Sequence, residues 1–118
     1  MKIFLIPALA SLLASCTFDS AGLRPNVAPC DTADSSSYVQ DIVPILAAKC
    51  YSCHTGTSSS SGIALDTYSD LSGYSSGLPG NIRHLSGYNA MPPLPAPKLS
   101  PCEIRTIERW IEAGAPEN

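Results

Sequence analysis

Cys50-Tyr51-Ser52-Cys53-His54 limits what this 118-residue chain can become more than any other stretch does. Two thiols three apart, with an imidazole directly after the second, have few chemical uses at this spacing. A redox-active C-x-x-C stands beside a βαβ pattern, and no such pattern surrounds this one. A zinc site asks for a second ligand pair of similar spacing. The other candidates, Cys16, Cys30, Cys102 and His84, are scattered along the chain. A disulfide across so short a loop leaves His54 unexplained. The use that fits all three residues is covalent attachment of haem, of which C-x-x-C-H is the signature. Each thiol can add across one vinyl group, sulfur to one carbon and hydrogen to the other. His54 can then offer a ring nitrogen to the iron from the near face.

Composition points the same way by a separate route. Charged residues make up only 14% of the chain, and one Trp, two Phe and five Tyr are all the aromatics a core can draw on. Serine, glycine and proline are plentiful, so much of the chain must be loop. A domain this small is marginal on hydrophobic burial alone and often needs a staple. A haem, large and mostly apolar, would complete the core.

Residues 1–15 have the build of an export signal. Lys2 is the positive end, and the apolar run 3–13 is too short to span a bilayer. The run ends in Leu13-Ala14-Ser15-Cys16, which resembles the bacterial lipobox, with cleavage before Cys16 and lipid on its thiol. An ordinary signal peptide, or an uncleaved anchor with Cys16 incidental, are the competing readings. Removal of residues 1–15 leaves 103 residues and a net charge of −4, because Lys2 is the one charged residue removed from a chain of 7 basic and 10 acidic side chains. An acidic protein of this kind is not a partner for nucleic acid.

Residues 16–36 are polar and aperiodic and are expected to form a tether or arm, with the domain proper at 37–118. Ser37 with Gln40 fits a capping box, and Val39, Ile42, Val43 and Leu46 keep to one helical face. Pro44 should kink or restart this helix near Val43. The helix runs into Cys50. Residues 55–62 read as a solvated Ser/Gly loop, a helical turn near Tyr68 has Asp66 or Thr67 as its cap, and residues 73–80 read as loop again. Residues 81–85 could form a short helix. The last element has the strongest signals: Ser100 as N-cap, Pro101 at the first helical position, Glu103 three after the cap. Ile104, Ile107, Trp110 and Ile111 share a face, and Gly114 and Pro116 end the helix.

A mainly α architecture follows, with a helix before the haem motif and an amphipathic helix closing the chain. Over residues 38–116 it resembles the class I cytochrome c fold. It is most similar to small bacterial lipoprotein cytochromes with D-I-x-P-I-L, C-x-x-C-H, M-P-P and L-S-x-x-E-I-x-x-I-x-x-W-I-x-x-G-A-P. Here these are residues 41–46, 50–54, 91–93 and 99–116. The resemblance implies that the first and last helices pack together over the haem, and that Met91 is the second axial ligand.

The chemistry around Met91 bears on that assignment. A thioether is a soft ligand that favours ferrous iron, and Pro92, Pro93, Pro95 and Pro97 stiffen its loop. Ligand type alone also permits His84, with Met91 a packing residue. With Cys16, Cys50 and Cys53 assigned, Cys30 and Cys102 remain as a possible disulfide in an oxidising compartment; two free thiols are the alternative. Iron with both axial positions filled leaves no vacancy for substrate. The expected function is therefore one-electron transfer by a single haem c, with redox proteins of the cell envelope as partners and the membrane reached through a lipid anchor. An enzyme of peroxidase or small-ligand type would instead need a labile sixth position.

Overall fold

The computed structural model describes Cys30, residues 35–57 and residues 60–118. The signal segment 1–15, Cys16 and most of the arm 16–36 lie outside the described residues. What is described is mainly helical, with no strand among the described residues. None of its helices is long and apolar enough to cross a membrane.

Ser37 opens the first helical segment. Its hydroxyl accepts from the Gln40 N–H, while its own N–H donates to the Asp41 carboxylate at 2.7 Å. The reciprocal cap is thus closed by Asp41 rather than by Gln40. A π-helical turn, Tyr38–Ile42, leads directly into α1, Val43–Lys49, with Pro44 in the first turn of α1. The restart falls where Pro44 requires it, since proline is tolerated in a first turn and not in a helix interior. The wider turn also shifts the buried face. Tyr38, Ile42 and Leu46 point into the core, whereas Val39, expected inside, is 62% exposed. A π turn carries more residues per turn than the 3.6 on which that expectation rested.

Thr67 caps α2, Tyr68–Tyr74: its hydroxyl oxygen accepts from the Asp70 N–H and its O–H donates to the Asp70 carboxylate. Leu71 is the residue that α2 buries. Then comes α3, Leu78–Ile82. Residues 73–80 are therefore not one loop, and the short helix starts at Leu78 rather than at 81. Pro79 favours this start because its fixed φ suits a first turn. Gly80 is there for packing: a Cβ would come within 2.5 Å of the Tyr88 ring.

The closing helix α4, Pro101–Glu112, has the full capping box, with Ser100 and Glu103 each bonding the other's backbone. It ends as its signals specify. Gly114 takes φ +91°, its N–H donates to the Ile111 carbonyl, and the Ala115 N–H donates to the Trp110 carbonyl. This pair of bonds is the Schellman stop.

The core joins the two ends of the domain. Trp110, fully buried, stacks on Tyr38 with ring centroids 5.9 Å apart, and Tyr68 meets Tyr38 edge-on. The Trp110 indole N–H donates to the Pro116 carbonyl, and the Tyr68 hydroxyl to that of Ala115. Asn118 accepts from the Tyr38 and Val39 N–H groups and from the Ser37 hydroxyl. Ile42 and Leu46 on one side and Ile104 and Ile107 on the other belong to the same buried cluster. Cys30 is disulfide-bonded to Cys102, with Cα atoms 5.0 Å apart, so the arm is tied to the first turn of α4.

Candidate functional site

The end of α1 positions the C-x-x-C-H segment. Cys50 and Tyr51 both donate their N–H to the Leu46 carbonyl, which anchors the segment to a fully buried side chain. The Cys50 carbonyl then accepts from the N–H groups of both Cys53 and His54. One carbonyl thus gathers the three residues into a single turn. Cys50 is half-buried and Cys53 exposed, and neither is in a disulfide. Burial, and secondarily the Glu103 carboxylate, push the Cys50 thiol up to about 11, so it stays protonated near neutrality.

His54 is buried, at 9% exposure, and its ring is held by its loop. Nδ1 is 2.9 Å from the Ile63 carbonyl oxygen and 2.9 Å from Ser61 Oγ. A carbonyl can only accept, so in the neutral ring Nδ1 carries the hydrogen and Nε2 keeps the lone pair. An imidazole tied at one nitrogen by a carbonyl is the usual arrangement for a metal-binding histidine, because the outer bond fixes ring and tautomer. The loop after the motif is correspondingly less free than its composition suggests. Thr55 donates to the Tyr51 carbonyl, the Gly56 N–H to Asp66, and the Leu65 N–H to the His54 carbonyl.

These residues face a cavity of about 470 Å³, within the range of roughly 300–1,000 Å³ usual for small-molecule and cofactor pockets. Cys50, Cys53 and His54 line it from one segment and Met91, Pro92 and Pro93 from another. Ile63, Leu65, Leu78, Ile82 and Leu99 add an apolar surround. The structure thus brings together four of the residues singled out from sequence: Cys50, Cys53, His54 and Met91. His84 is not among those lining the cavity; its Nε2 lies 3.1 Å from the Met91 carbonyl oxygen. Trp110 lies in the core, and its indole N–H donates to the Pro116 carbonyl.

The cavity's donors are two thiols from one turn, an imidazole whose Nε2 keeps its lone pair, and a thioether from a second segment, a set that a c-type haem would fit. A metal that arrives within a porphyrin asks the chain only for axial ligands and, in the c-type, for two thiols. Ser61 and the Ile63 carbonyl are the His54 ring's partners that sequence reasoning missed. Ser61 is one of four consecutive serines, 58–61, and nothing in residue type separates it from the other three.

A second concavity lies between α4 and the residues that follow α3, lined by Arg83, Lys98, Arg105 and Glu108 among others. Each of these charged side chains has a partner. Arg83 forks onto Glu108 through Nε and Nη2, the latter at 2.7 Å, Arg105 pairs with Glu112, and Lys98 donates to the Arg83 carbonyl. The hydrogen bonds from Arg83 hold the Glu108 carboxyl below the usual glutamate range, against the opposing effect of its burial.

No family model, curated protein or solved structure matches this chain.

Proposed function

We propose that this chain is a mono-haem c-type cytochrome with a class I cytochrome c-like fold, an exported electron carrier anchored through lipid on Cys16. The observation that carries the reading is the shared cavity. A C-x-x-C-H turn and a methionine 37 residues further on line one apolar space, although nothing in local structure obliges them to meet. The packing of the first helical segment on α4, through Tyr38 and Trp110, supports the fold assignment.

Cys50 and Cys53 would hold the porphyrin through thioethers, and His54 Nε2 and the Met91 sulfur would be the groups offered to its iron. When bound, the haem supplies a reversible one-electron iron couple. The chain's own contribution is orientation and environment. The Ile63 carbonyl and Ser61 fix the His54 ring, and Ile63, Leu65, Leu78 and Leu99 keep water from the apolar side. A thioether ligand at Met91 would favour the ferrous state and hold the potential above that of a bis-histidine site. With an imidazole and a thioether both available to the iron, electron transfer to redox proteins of the cell envelope is the function this donor set would serve.

Optical spectra of the purified protein in both oxidation states, followed by acid–acetone extraction, test the reading. Haem that resists extraction and a low-spin spectrum with a methionine-to-iron band are expected. Met91→Ala should lower the potential and open the iron to carbon monoxide while the haem stays attached. Complete extraction of haem would remove the thioethers, and rapid carbon monoxide binding by the unmodified protein would replace the carrier with a small-ligand enzyme. Intact mass spectrometry decides the anchor: an unmodified chain that retains Met1 would refute lipidation at Cys16.

A further inference from the structure

We propose that His84 is a positioning residue for Met91, latching the methionine loop to the end of α3; the inference rests on the haem reading above. His84 lies two residues beyond α3 and holds φ +56°, the left-handed region that non-glycine residues rarely adopt. Such a conformation persists where its surroundings over-determine it. Here the backbone places Nε2 3.1 Å from the carbonyl oxygen of Met91, seven residues further on. That oxygen can only accept, so Nε2 carries the hydrogen, and the same nitrogen is not free to bind iron.

The other side of Met91 is held from the same place. Its N–H donates to the Asn81 carbonyl at 3.0 Å, and the Asn81 side-chain amide donates to the Asn89 carbonyl at 2.8 Å. Both backbone polar groups of Met91 are therefore referred to the end of α3, which is seated in the core by Leu78 and Ile82. The prolines at 92, 93, 95 and 97 stiffen the loop but donate no N–H, so none of these bonds can come from them. The latch, more than the prolines, decides where the thioether stands. His84 thus acts on iron through Met91 and does not compete with it.

The test compares three holoprotein variants with the unmodified protein. His84→Gly keeps the left-handed backbone and removes the ring. His84→Asn also tolerates that backbone but is too short to reach. His84→Gln presents an amide N–H near the position of Nε2. Three readouts are followed: the methionine-to-ferric-iron band, carbon monoxide binding by the ferrous protein, and hydrogen exchange around Met91. Loss of one hydrogen bond of ordinary strength should raise the carbon monoxide rate about fivefold in His84→Gly and His84→Asn and weaken the band. His84→Gln should recover most of both. Hydrogen exchange in the segment around Met91 should rise in the first two variants and not in the third.

A latch without function would leave the band and carbon monoxide binding unchanged in His84→Gly and His84→Asn, whatever the hydrogen exchange around Met91, while Met91→Ala still opens the iron; that result overturns the proposal and leaves the carrier reading standing. If His84 is itself a ligand, all three substitutions, His84→Gln included, convert the iron to high spin and Met91→Ala does not. That overturns the positioning role. A protein without covalent haem removes the carrier reading and this proposal together.

Discussion

Removing the Cys30–Cys102 bridge offers a calculable perturbation. The bridge closes a separation of 72 residues. On the chain-entropy account a 15-residue loop is worth about 3 kcal/mol and a 100-residue loop about 4.7, which places this one at about 4.4 kcal/mol. Small domains are stable by only about 5–15 kcal/mol in total, so the bridge would be a large share of the whole. The double variant Cys30→Ser, Cys102→Ser should therefore lose about 4 kcal/mol in urea unfolding relative to the parent. Because the effect is exerted on the unfolded chain, the folded spectrum should not change. The slope of stability against urea should rise, since an unbridged chain exposes more surface when it opens. A loss below about 1 kcal/mol, with an unchanged slope, would refute the argument that the arm is constrained through the unfolded state.

Two further outcomes follow from the packing. Gly80→Ala forces a Cβ to within 2.5 Å of the Tyr88 ring, and should cost about 1–3 kcal/mol by overpacking despite alanine's better helix propensity; adding Tyr88→Ala should return most of that loss in the same melts. The Arg83–Glu108 pair gives a pH dependence: the folded carboxyl titrates below its unfolded value, so its stabilisation is complete above the unfolded value and is lost as pH falls through the folded one. Acid unfolding should accordingly steepen below about pH 4.5 and flatten in Arg83→Met, and an identical acid limb in the two proteins would contradict it.

Parts of this molecule were legible in the sequence because their chemistry is local. The start and stop of α4 depend on Ser100, Pro101, Glu103 and Gly114, each acting within one turn, and the helix runs between them. Pro44 likewise marked the restart at Val43. The sequence is less legible where a residue's reason lies outside its own turn or in a departure from regular helix geometry. Gly80 looks like a loop residue until Tyr88 is known to press on it. Val39 was placed inside by a 3.6-residue period that the π turn does not keep. For the candidate site, residue types named Cys50, Cys53 and His54 of the four side chains that share the cavity, and the resemblance supplied Met91. Residue types alone could not name Ser61 among its neighbours, nor choose between His84 and Met91. The bond from His84 to Met91 depends on a left-handed backbone that no residue type announces.

If the proposed lipid on Cys16 is present, the bridge between Cys30 and α4 would also have a mechanical meaning. The chain from the membrane would then be fastened to the domain at Cys30, 14 residues on, and not at Ser37, the cap of the first helical segment. A fully extended chain of 14 residues reaches at most about 50 Å, against about 75 Å for the 21 residues to Ser37. The pivot moves as well, from the start of the first helix to the first turn of α4. The membrane would then pull on the domain at Cys102, and the faces it can turn toward a partner in the same envelope are those that swing freely about that point.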